Sequence, residues 1–385
     1  MSSDARKRAW KPKDTKGHIN KREDLAGRFC EQPFRHLEIY SQGHVSPCCK
    51  SWLLFSVPTE YSEDSTIMDV WNSKSVQAIR SSILDGSFKY CNHATCPMIQ
   101  SKRLPFRKDV RDPELKQIIA ENKVVLDEPP RRFSLSYDPS CNLTCPSCRT
   151  RKINHTSGPE YERSLAIQNR FMRDVFSKPS DRKVNIRVTG SGDAVGSKVF
   201  RRLLTTLDGA SFPNLSVVLH TNGVLLTPRW WSRFKRIHGN IEKVDISIDA
   251  ATPGTYATTR RGGNWNVLQS NIRFLCEQGV HVVAGFVVQR VNFTEMPEFV
   301  RLARTLGAAR VKFSLVLDWH TWDKQEYEMH CIWKNYHPEF PDFLETLRHP
   351  ELDDPMILWE NVAAYREYAL SQTRSAIDDV ASHPS

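Results

Sequence analysis

The chain has 385 residues, long enough for two domains, and 39% of them are apolar, which is enough for a sizeable hydrophobic core. No run of about 18 apolar residues occurs, which argues against a membrane span, and the first residues lack the apolar run of a secretory signal. Lys and Arg outnumber Asp and Glu by 54 to 44, and the formal net charge is +10.

Residues 1–28 carry much of this excess, with nine basic residues against four acidic ones. Such a run can bind a nucleic acid or another polyanion, or it can be a solvated, poorly ordered arm. Trp10 is its one aromatic residue, whereas faces that bind nucleic acid usually interleave aromatic and basic residues. We therefore predict a flexible basic arm and do not expect nucleic acid as a partner.

Eight of the ten cysteines fall between residues 30 and 148. Without a secretory signal, clustered cysteines are more typical of metal ligands than of disulfides. We therefore expect a metalloprotein in a reducing compartment, the cytoplasm. The ten cysteines are Cys30, Cys48, Cys49, Cys91, Cys96, Cys141, Cys145, Cys148, Cys276 and Cys331.

Residues 29–130 divide into two segments of different composition. Residues 29–100 are cysteine-rich, and the spacing of apolar residues within them predicts a helix over residues 67–84 that ends at Asp85-Gly86. Residues 101–130 are charged and close with two consecutive prolines, which indicates a linker. We expect a small cysteine-rich domain followed by this linker.

Residues 131–318 alternate β-rich runs with amphipathic helical patterns. The alternation predicts an α/β fold, a partial parallel (β/α)6 barrel. In such folds the functional loops follow the C-terminal ends of the strands. The predicted strands are residues 132–137, 184–189, 215–220, 243–248, 280–288 and 311–317, and the predicted helices are residues 159–176, 196–207, 228–237, 264–278 and 294–306.

Residues 319–385 form a helical and aromatic C-terminal extension. Residues 318–360 combine many aromatic side chains with 11 acidic and only three basic residues. These aromatic side chains could cover the barrel opening and offer flat surfaces to a ring or sugar substrate. They could equally pack the segment onto the outside of the barrel or against the cysteine-rich domain. The sequence leaves both interpretations open.

Three cysteines follow the first barrel strand directly. Cys141, Cys145 and Cys148 have the spacing C-x3-C-x2-C. Three thiolates on one loop can hold three irons of a 4Fe-4S cluster, and the fourth iron is then open to another ligand. The alternatives are a zinc site, for which His155 is the nearest further ligand, and a ferredoxin cluster, which needs a fourth cysteine.

The spacing resembles the hallmark of the radical S-adenosylmethionine (SAM) superfamily. The resemblance implies that SAM chelates the open iron. One electron from the cluster then cleaves SAM, and a 5′-deoxyadenosyl radical abstracts a hydrogen from the substrate. It also implies an external electron donor such as flavodoxin or ferredoxin. Ser147 departs from the pattern, because an aromatic residue often precedes the third cysteine.

Gly190, Gly192 and Asp193 follow the second strand. In register they resemble the superfamily's glycine-rich segment, which binds the amino group of SAM. Asp193 stands where a Glu is usual, and a carboxylate there is suited to an ammonium group. Glycines would let the backbone approach the ligand. The alternative is an ordinary Rossmann-like glycine turn.

Further polar residues lie at or beyond the C-terminal ends of the third and fourth strands. By the same resemblance, Thr221 or Ser247 would contact the ribose or the methionine carboxylate of SAM. Arg260 or Arg261 would contact the carboxylate. Each of these residues could instead be a loop cap or turn residue.

Four cysteines of the N-terminal segment have a second recognisable spacing. Cys30, Cys48, Cys91 and Cys96 follow C-x12-G-x4-C, a gap and then C-x4-C. This resembles the twitch or SPASM hairpin, and the resemblance implies an auxiliary iron-sulfur cluster held by the four. In most relatives this module follows the barrel, whereas here it precedes it. The alternative is a structural zinc site, and Cys49 either replaces Cys48 or is a bystander.

These patterns together predict a cytoplasmic radical SAM oxidoreductase or radical-modifying enzyme with an auxiliary cluster. Its substrate would be a small molecule, such as a sugar, or a peptide. The alternative from another class is a zinc-containing nucleic-acid-binding protein that uses its basic arm.

Overall fold

The structure is a computed structural model that describes residues 24–381, with side chains described up to residue 372. The basic arm predicted for residues 1–28 therefore lies almost entirely outside the described residues. The strands are β1 (His36–Tyr40), β2 (Val45–Ser46), β3 (Arg132–Ser136), β4 (Val184–Val188), β5 (Leu215–Thr221), β6 (Ile241–Ser247), β7 (Val282–Val288), β8 (Arg310–Leu315) and β9 (Ile357–Trp359).

Fourteen α-helices accompany these strands in the described part of the chain. They are α1 (Gln32–Arg35), α2 (Ile67–Trp71), α3 (Lys74–Leu84), α4 (Pro97–Gln100), α5 (Pro113–Glu121), α6 (Pro159–Phe176), α7 (Lys198–Thr206), α8 (Pro228–Arg233), α9 (Pro253–Thr259), α10 (Trp265–Glu277), α11 (Met296–Thr305), α12 (Lys324–His330), α13 (Phe340–Leu347) and α14 (Ala363–Ala381). None of the described helices is long and apolar enough to cross a membrane.

The strands form one sheet in the order β2-β1-β3-β4-β5-β6-β7-β8-β9. Strands β3 to β8 pair in parallel and in chain order, and they are the six predicted barrel strands, each within two residues of its predicted bounds. The predicted α/β class with a partial parallel barrel is confirmed. All C-terminal strand ends therefore meet at one edge of the sheet.

The segments on either side of the barrel extend its sheet. Strand β1 pairs in parallel with β3 over its whole length, from His36 opposite Arg132 to Tyr40 opposite Ser136, and β2 forms an antiparallel hairpin with β1. At the other edge, β9 pairs in parallel with β8. The cysteine-rich segment and the C-terminal extension are thus joined to the barrel by backbone hydrogen bonds.

The two faces of the sheet differ because successive side chains of a strand point to opposite sides. On the outer face, Phe133 of β3 packs edge-on against Phe171 of α6, with ring centroids 5.1 Å apart. On the inner face, Arg187 of β4 reaches Asp245 of β6, with 2.7 Å between Nη1 and Oδ2. Although β4 is a central strand, 32% of the Arg187 side chain is exposed. The barrel therefore encloses an open, polar lumen.

The segment interpreted as a linker, residues 101–130, contains α5 and is tied to the cysteine-rich segment. Asp112 caps α5 by accepting a hydrogen bond from the Leu115 N–H, 3.0 Å away. Arg35 forms ion pairs with Asp112 at 2.6 Å and with Glu114 at 2.5 Å. The side chain of Arg35 is 7% exposed, whereas those of Asp112 and Glu114 are 41% and 35% exposed, so water reaches these ion pairs from the carboxylate side.

Arg80 of α3 is the central cation of the cysteine-rich segment and is fully buried. Its Nε donates to the carbonyl oxygen of Pro33 at 2.8 Å. Its two Nη atoms donate to the Asn72 Oδ1 at 3.0 Å and to the carbonyl oxygens of Val124 at 2.7 Å and Trp71 at 2.8 Å. One guanidinium group therefore holds α1, α2 and the end of residues 101–130 together.

The C-terminal extension both packs onto the barrel and leaves some aromatic side chains partly exposed. Phe343 of α13 is fully buried and lies 6.2 Å from Phe293 and 6.1 Å from Tyr365, centroid to centroid. Trp319 is 41% exposed. The Tyr327 hydroxyl donates to the carbonyl oxygen of Val316, 3.3 Å away, just beyond β8.

Arg80→Met should lower the free energy of unfolding by about 2–4 kcal/mol, because it leaves several buried oxygen acceptors without a donor. Lys74→Met, on the exposed side of the same helix, should change it by less than about 0.5 kcal/mol. Urea unfolding followed by circular dichroism measures both. Equal stability of the two variants would show that Arg80 does not hold these segments together.

Candidate functional site

The loop that carries the three barrel cysteines is anchored by Asp138, which is fully buried. Its Oδ1 accepts from the backbone N–H of Ser140 at 3.0 Å and from its hydroxyl at 2.7 Å. Its Oδ2 accepts from the Ser197 hydroxyl at 2.6 Å, and Ser197 also caps α7. The start of the loop is therefore fixed to the helix that follows β4.

The Sγ of Cys141 lies among hydrogen-bond donors. The backbone N–H of Leu143 is 3.4 Å away and the Nδ2 of Asn222 is 3.7 Å away. Burial raises the pKa of Cys141 to about 11, and the carboxylate of Asp193 adds to the increase. A bound metal removes the proton from such a thiol, and the donors then stabilise the thiolate.

An arginine side chain lies beside each of the other two thiols. The Nη1 of Arg260 lies 3.8 Å from the Sγ of Cys145, which is buried. The Nη2 of Arg149 lies 3.5 Å from the Sγ of Cys148, which is exposed. Burial raises the pKa of Cys145, and the charge of Arg260 opposes that rise. Each of the three barrel cysteines thus has at least one N–H donor beside its sulfur.

Arg149 also connects the cysteine loop to the loop after β4. Its Nη1 donates to the carbonyl oxygen of Pro139 at 2.8 Å, and its Nη2 donates to that of Ser191 at 2.9 Å. Arg149 was not expected at the site, although a basic residue directly after the third cysteine is visible in the sequence. Asn222 was likewise not expected at the site, although it directly follows Thr221 in the sequence.

Gly190 and Gly192 lie where the loop after β4 packs against its neighbours. A Cβ at Gly192 would stand 2.5 Å from the carbonyl oxygen of Asp138 and 2.6 Å from that of Ser140. A Cβ at Gly190 would collide with the hydroxyl of Ser136. Both positions leave no room for a Cβ, because the backbone approaches a neighbouring loop at Gly192 and a strand side chain at Gly190. Whether the same backbone also contacts SAM stays a prediction.

Asp193 is 1% exposed, and its carboxylate accepts four hydrogen bonds. Oδ1 accepts from the backbone N–H groups of Val195 at 3.0 Å and Gly196 at 2.7 Å. Oδ2 accepts from the Thr221 hydroxyl at 2.8 Å and from the Asn222 N–H at 2.7 Å. A carboxylate has about four acceptor positions. The geometry therefore favours Asp193 as a brace between the β4 and β5 loops over direct binding of the SAM ammonium group.

Thr221 and Ser247 differ in how much room they leave for a ligand. Thr221 is buried, donates to Asp193 and accepts from the Gly223 N–H at 3.1 Å. Ser247 is half-buried, and its Oγ lies 3.0 Å from the Nε2 of His220. Burial lowers the pKa of His220 to about 3, so this imidazole is neutral at pH 7. Of the two, Ser247 is the better placed to meet a molecule in the lumen.

Arg260 lies at the cysteine loop, as expected of a residue near SAM. Its Nη2 forms an ion pair with the Oδ2 of Asp249 at 2.5 Å. Its buried Nε has no hydrogen-bond partner within the described residues. The neighbouring Arg261 holds the same loop, because its carbonyl oxygen accepts from the Thr144 N–H at 3.0 Å. A contact between Arg260 and the SAM carboxylate stays a prediction.

In the N-terminal segment four thiols lie near one another. Burial raises the pKa of Cys48, and the nearby thiols of Cys30, Cys91 and Cys96 raise it further, with a smaller contribution from the adjacent Cys49. Burial raises the pKa of Cys91 to about 12, with a contribution from Cys96. These four are the cysteines of the predicted auxiliary site.

Cys49 faces different neighbours. Burial and the carboxyl group of Glu38 raise its pKa, whereas Lys50 and Ser51 lower it. The next backbone N–H, that of Lys50, donates to the Tyr40 hydroxyl at 3.0 Å, and this hydroxyl donates to Glu38 at 2.6 Å. Cys49 therefore lies on the side of β1.

The donor sets suit clusters bound through sulfur. All ten cysteines are free thiols. Among the described residues, no group of three His, Cys, Asp or Glu side chains converges closely enough to hold a single metal ion. In a 4Fe-4S cluster each thiolate binds a separate iron.

Comparison with known families identifies both cysteine regions. Residues 135–303 match the model described as the radical SAM superfamily, and residues 30–97 match SPASM, described as an iron-sulfur cluster-binding domain. The chain is a radical SAM protein with a SPASM domain on its N-terminal side. The predicted family is confirmed, and with it the implied cofactors: SAM, a 4Fe-4S cluster and an auxiliary iron-sulfur cluster.

Two relatives each match a little under half of the chain. It is 30% identical over 175 residues to the GTP 3′,8-cyclase of Petrotoga mobilis, which covers 44% of this chain and 50% of that protein. It is 26% identical over 188 residues to the AdoMet-dependent heme synthase of Methanosarcina barkeri, with coverage of 48% and 50%. The chain thus spans about half the length of these relatives.

Among solved structures, Streptococcus suis SuiB bound to the precursor peptide SuiA is 12% identical with a TM-score of 0.44, over 76% of this chain and 64% of that one. A likeness of this degree does not identify a substrate.

Asp193→Asn should lower the free energy of unfolding by about 1.5–3 kcal/mol, because an amide nitrogen cannot accept the hydrogen bonds that this carboxylate accepts. Asp181→Asn, at an exposed loop position, serves as the control and should be neutral. Urea unfolding of the apoprotein measures the free energy of unfolding, and calorimetric titration with SAM measures SAM binding. Weaker SAM binding with unchanged stability would instead make Asp193 a direct ligand of SAM.

Cys48→Ala should remove the iron of the auxiliary cluster, because Cys48 belongs to the group of four thiols. Cys49→Ala should retain it, because Cys49 faces β1. Iron determination on reconstituted protein compares the two variants. Loss of the same amount of iron from both, or from Cys49→Ala alone, would contradict this assignment.

Proposed function

We propose that this protein is an enzyme that uses Cys141, Cys145 and Cys148 to hold a 4Fe-4S cluster and SAM for radical chemistry on a substrate in the barrel lumen. The observation that carries the proposal is the cysteine loop at the C-terminal strand edge, with an N–H donor beside each sulfur. The cluster and SAM, when bound, supply a radical that abstracts a hydrogen atom.

Side chains of the protein stabilise the thiolates and anchor the loops around them. Arg149 and Arg260 place positive charge beside Cys148 and Cys145 and so stabilise thiolates there. Asp138 and Asp193 are buried and accept hydrogen bonds from the loops around the cysteines. Ser247 and Arg260 remain our candidates for direct contacts with SAM.

A polar lumen suits a polar substrate. Arg187 and Lys312 both approach the Oδ2 of Asp245, at 2.7 and 3.5 Å, so the lumen contains two cations for one anion at this level. We infer a small molecule, such as a sugar derivative, or a peptide as substrate. The relatives named for GTP make a nucleoside one sugar-bearing candidate. We further propose a cytoplasmic setting and a flavodoxin or ferredoxin as electron donor.

Replacing Cys141, Cys145 or Cys148 with Ala should abolish reductive cleavage of SAM, because the cluster loses one of its three protein ligands. The iron content should fall by about half, from about eight per chain, if both clusters are of the 4Fe-4S type. Cys276→Ala, on α10 and outside both groups of cysteines, should retain cleavage and iron. Anaerobic assays of 5′-deoxyadenosine measure this, and wild-type amounts from a loop variant would refute the proposal.

A further inference from the structure

A cavity of about 370 Å³ lies where three parts of the chain meet. One wall is formed by residues 315–317, at the C-terminal end of β8, and a second by Ala94 and Thr95 of the SPASM domain with Gln100 just beyond it. The third wall is the C-terminal extension. This wall contributes six aromatic side chains: Tyr327, Trp333, Tyr336, Phe340, Tyr365 and Tyr368.

Several contacts fix the aromatic wall in place. The rings of Phe340 and Tyr368 are stacked with 6.5 Å between centroids. The hydroxyl of Tyr336 donates to the Oε2 of Glu328 at 2.9 Å, and Tyr327 bonds to the backbone beyond β8. The cavity is therefore built before any ligand arrives, which lowers the ordering cost of binding.

The cavity is partly open to solvent and has the size of a binding site. Binding sites for small molecules span roughly 300–1,000 Å³ and are mostly apolar with a few polar groups. The one cationic side chain of the lining, Lys334, pairs with Glu328 at 2.6 Å. The walls thus favour a neutral ligand with a flat apolar body.

Asn361 supplies a fixed polar group in this lining. Its Oδ1 accepts from the Leu315 N–H at 2.9 Å, which orients the amide. Its Nδ2 has no protein partner within residues 24–372, so it can donate to a ligand. A ring that carries an oxygen or nitrogen acceptor matches both the aromatic walls and this donor.

We propose that the cavity binds a neutral aromatic ring of the substrate, one that carries a hydrogen-bond acceptor. The phenol side chain of a peptide and the base of a nucleoside share this chemistry. That the ring belongs to the substrate rests on the proposed function. Ala94 and Thr95 lie between Cys91 and Cys96, so the bound ring would lie against the loop of the auxiliary cluster.

The experiment is calorimetric titration of the reconstituted enzyme, without SAM, with p-cresol and with guanosine as probes. Saturable binding of either probe at one site per chain is expected. Binding of p-cresol would indicate a phenol ring as the ligand, and binding of guanosine would indicate a nucleoside base. The titration does not require SAM cleavage. It therefore tests the cavity even if the proposed radical chemistry is wrong.

Two substitutions on α14 give a matched comparison. Ala364 lines the cavity, whereas Glu367 is exposed. Ala364→Phe fills the space and should abolish binding, and Glu367→Phe should retain it. Tyr368→Leu, which keeps an apolar side chain, should weaken binding by roughly tenfold through loss of ring stacking. Circular dichroism checks that each variant folds. Absence of binding by both probes, or binding unaffected by Ala364→Phe in a folded variant, would overturn the proposal.

Discussion

Sulfur atoms that carry negative charge inside a protein need N–H donors beside them, and this requirement shapes the centre of the molecule. The donors come from three places: the cysteine loop itself, the loop after β5 with Asn222 and the loop beyond β6 with Arg260. These loops meet because all their strands run in parallel and end at one edge. The parallel barrel thus places these N–H donors next to the cysteines.

Buried carboxylates complete this arrangement. Asp138 fixes the cysteine loop to α7, and Asp193 joins the loops after β4 and β5. Each costs desolvation free energy, and each repays it through several hydrogen bonds. These acceptors tie neighbouring loops to one another. The loops at this edge of the barrel are therefore joined by shared hydrogen bonds.

The repeating pattern of the barrel made most of its fold predictable: six apolar runs alternated with amphipathic helices, and cysteine spacing marked both cluster regions. The flanking strands were not predictable, because β9 has only three residues and β1 finds its partner 96 positions later in the chain. The role of Asp193 was equally hidden. A carboxylate after a strand suits both an ammonium ligand and backbone N–H groups, and only its actual partners distinguish the two.

The strands at the two ends of the barrel sheet have a protective consequence. Without β1 and β9, strands β3 and β8 would present unpaired N–H and C=O groups, and such open edges recruit strands of other molecules. The flanking segments satisfy these groups within the same chain, with a short β2 and a three-residue β9 outermost. A barrel separated from its flanks would therefore be prone to self-association, and the modules of this chain are better regarded as one cooperative unit than as exchangeable parts.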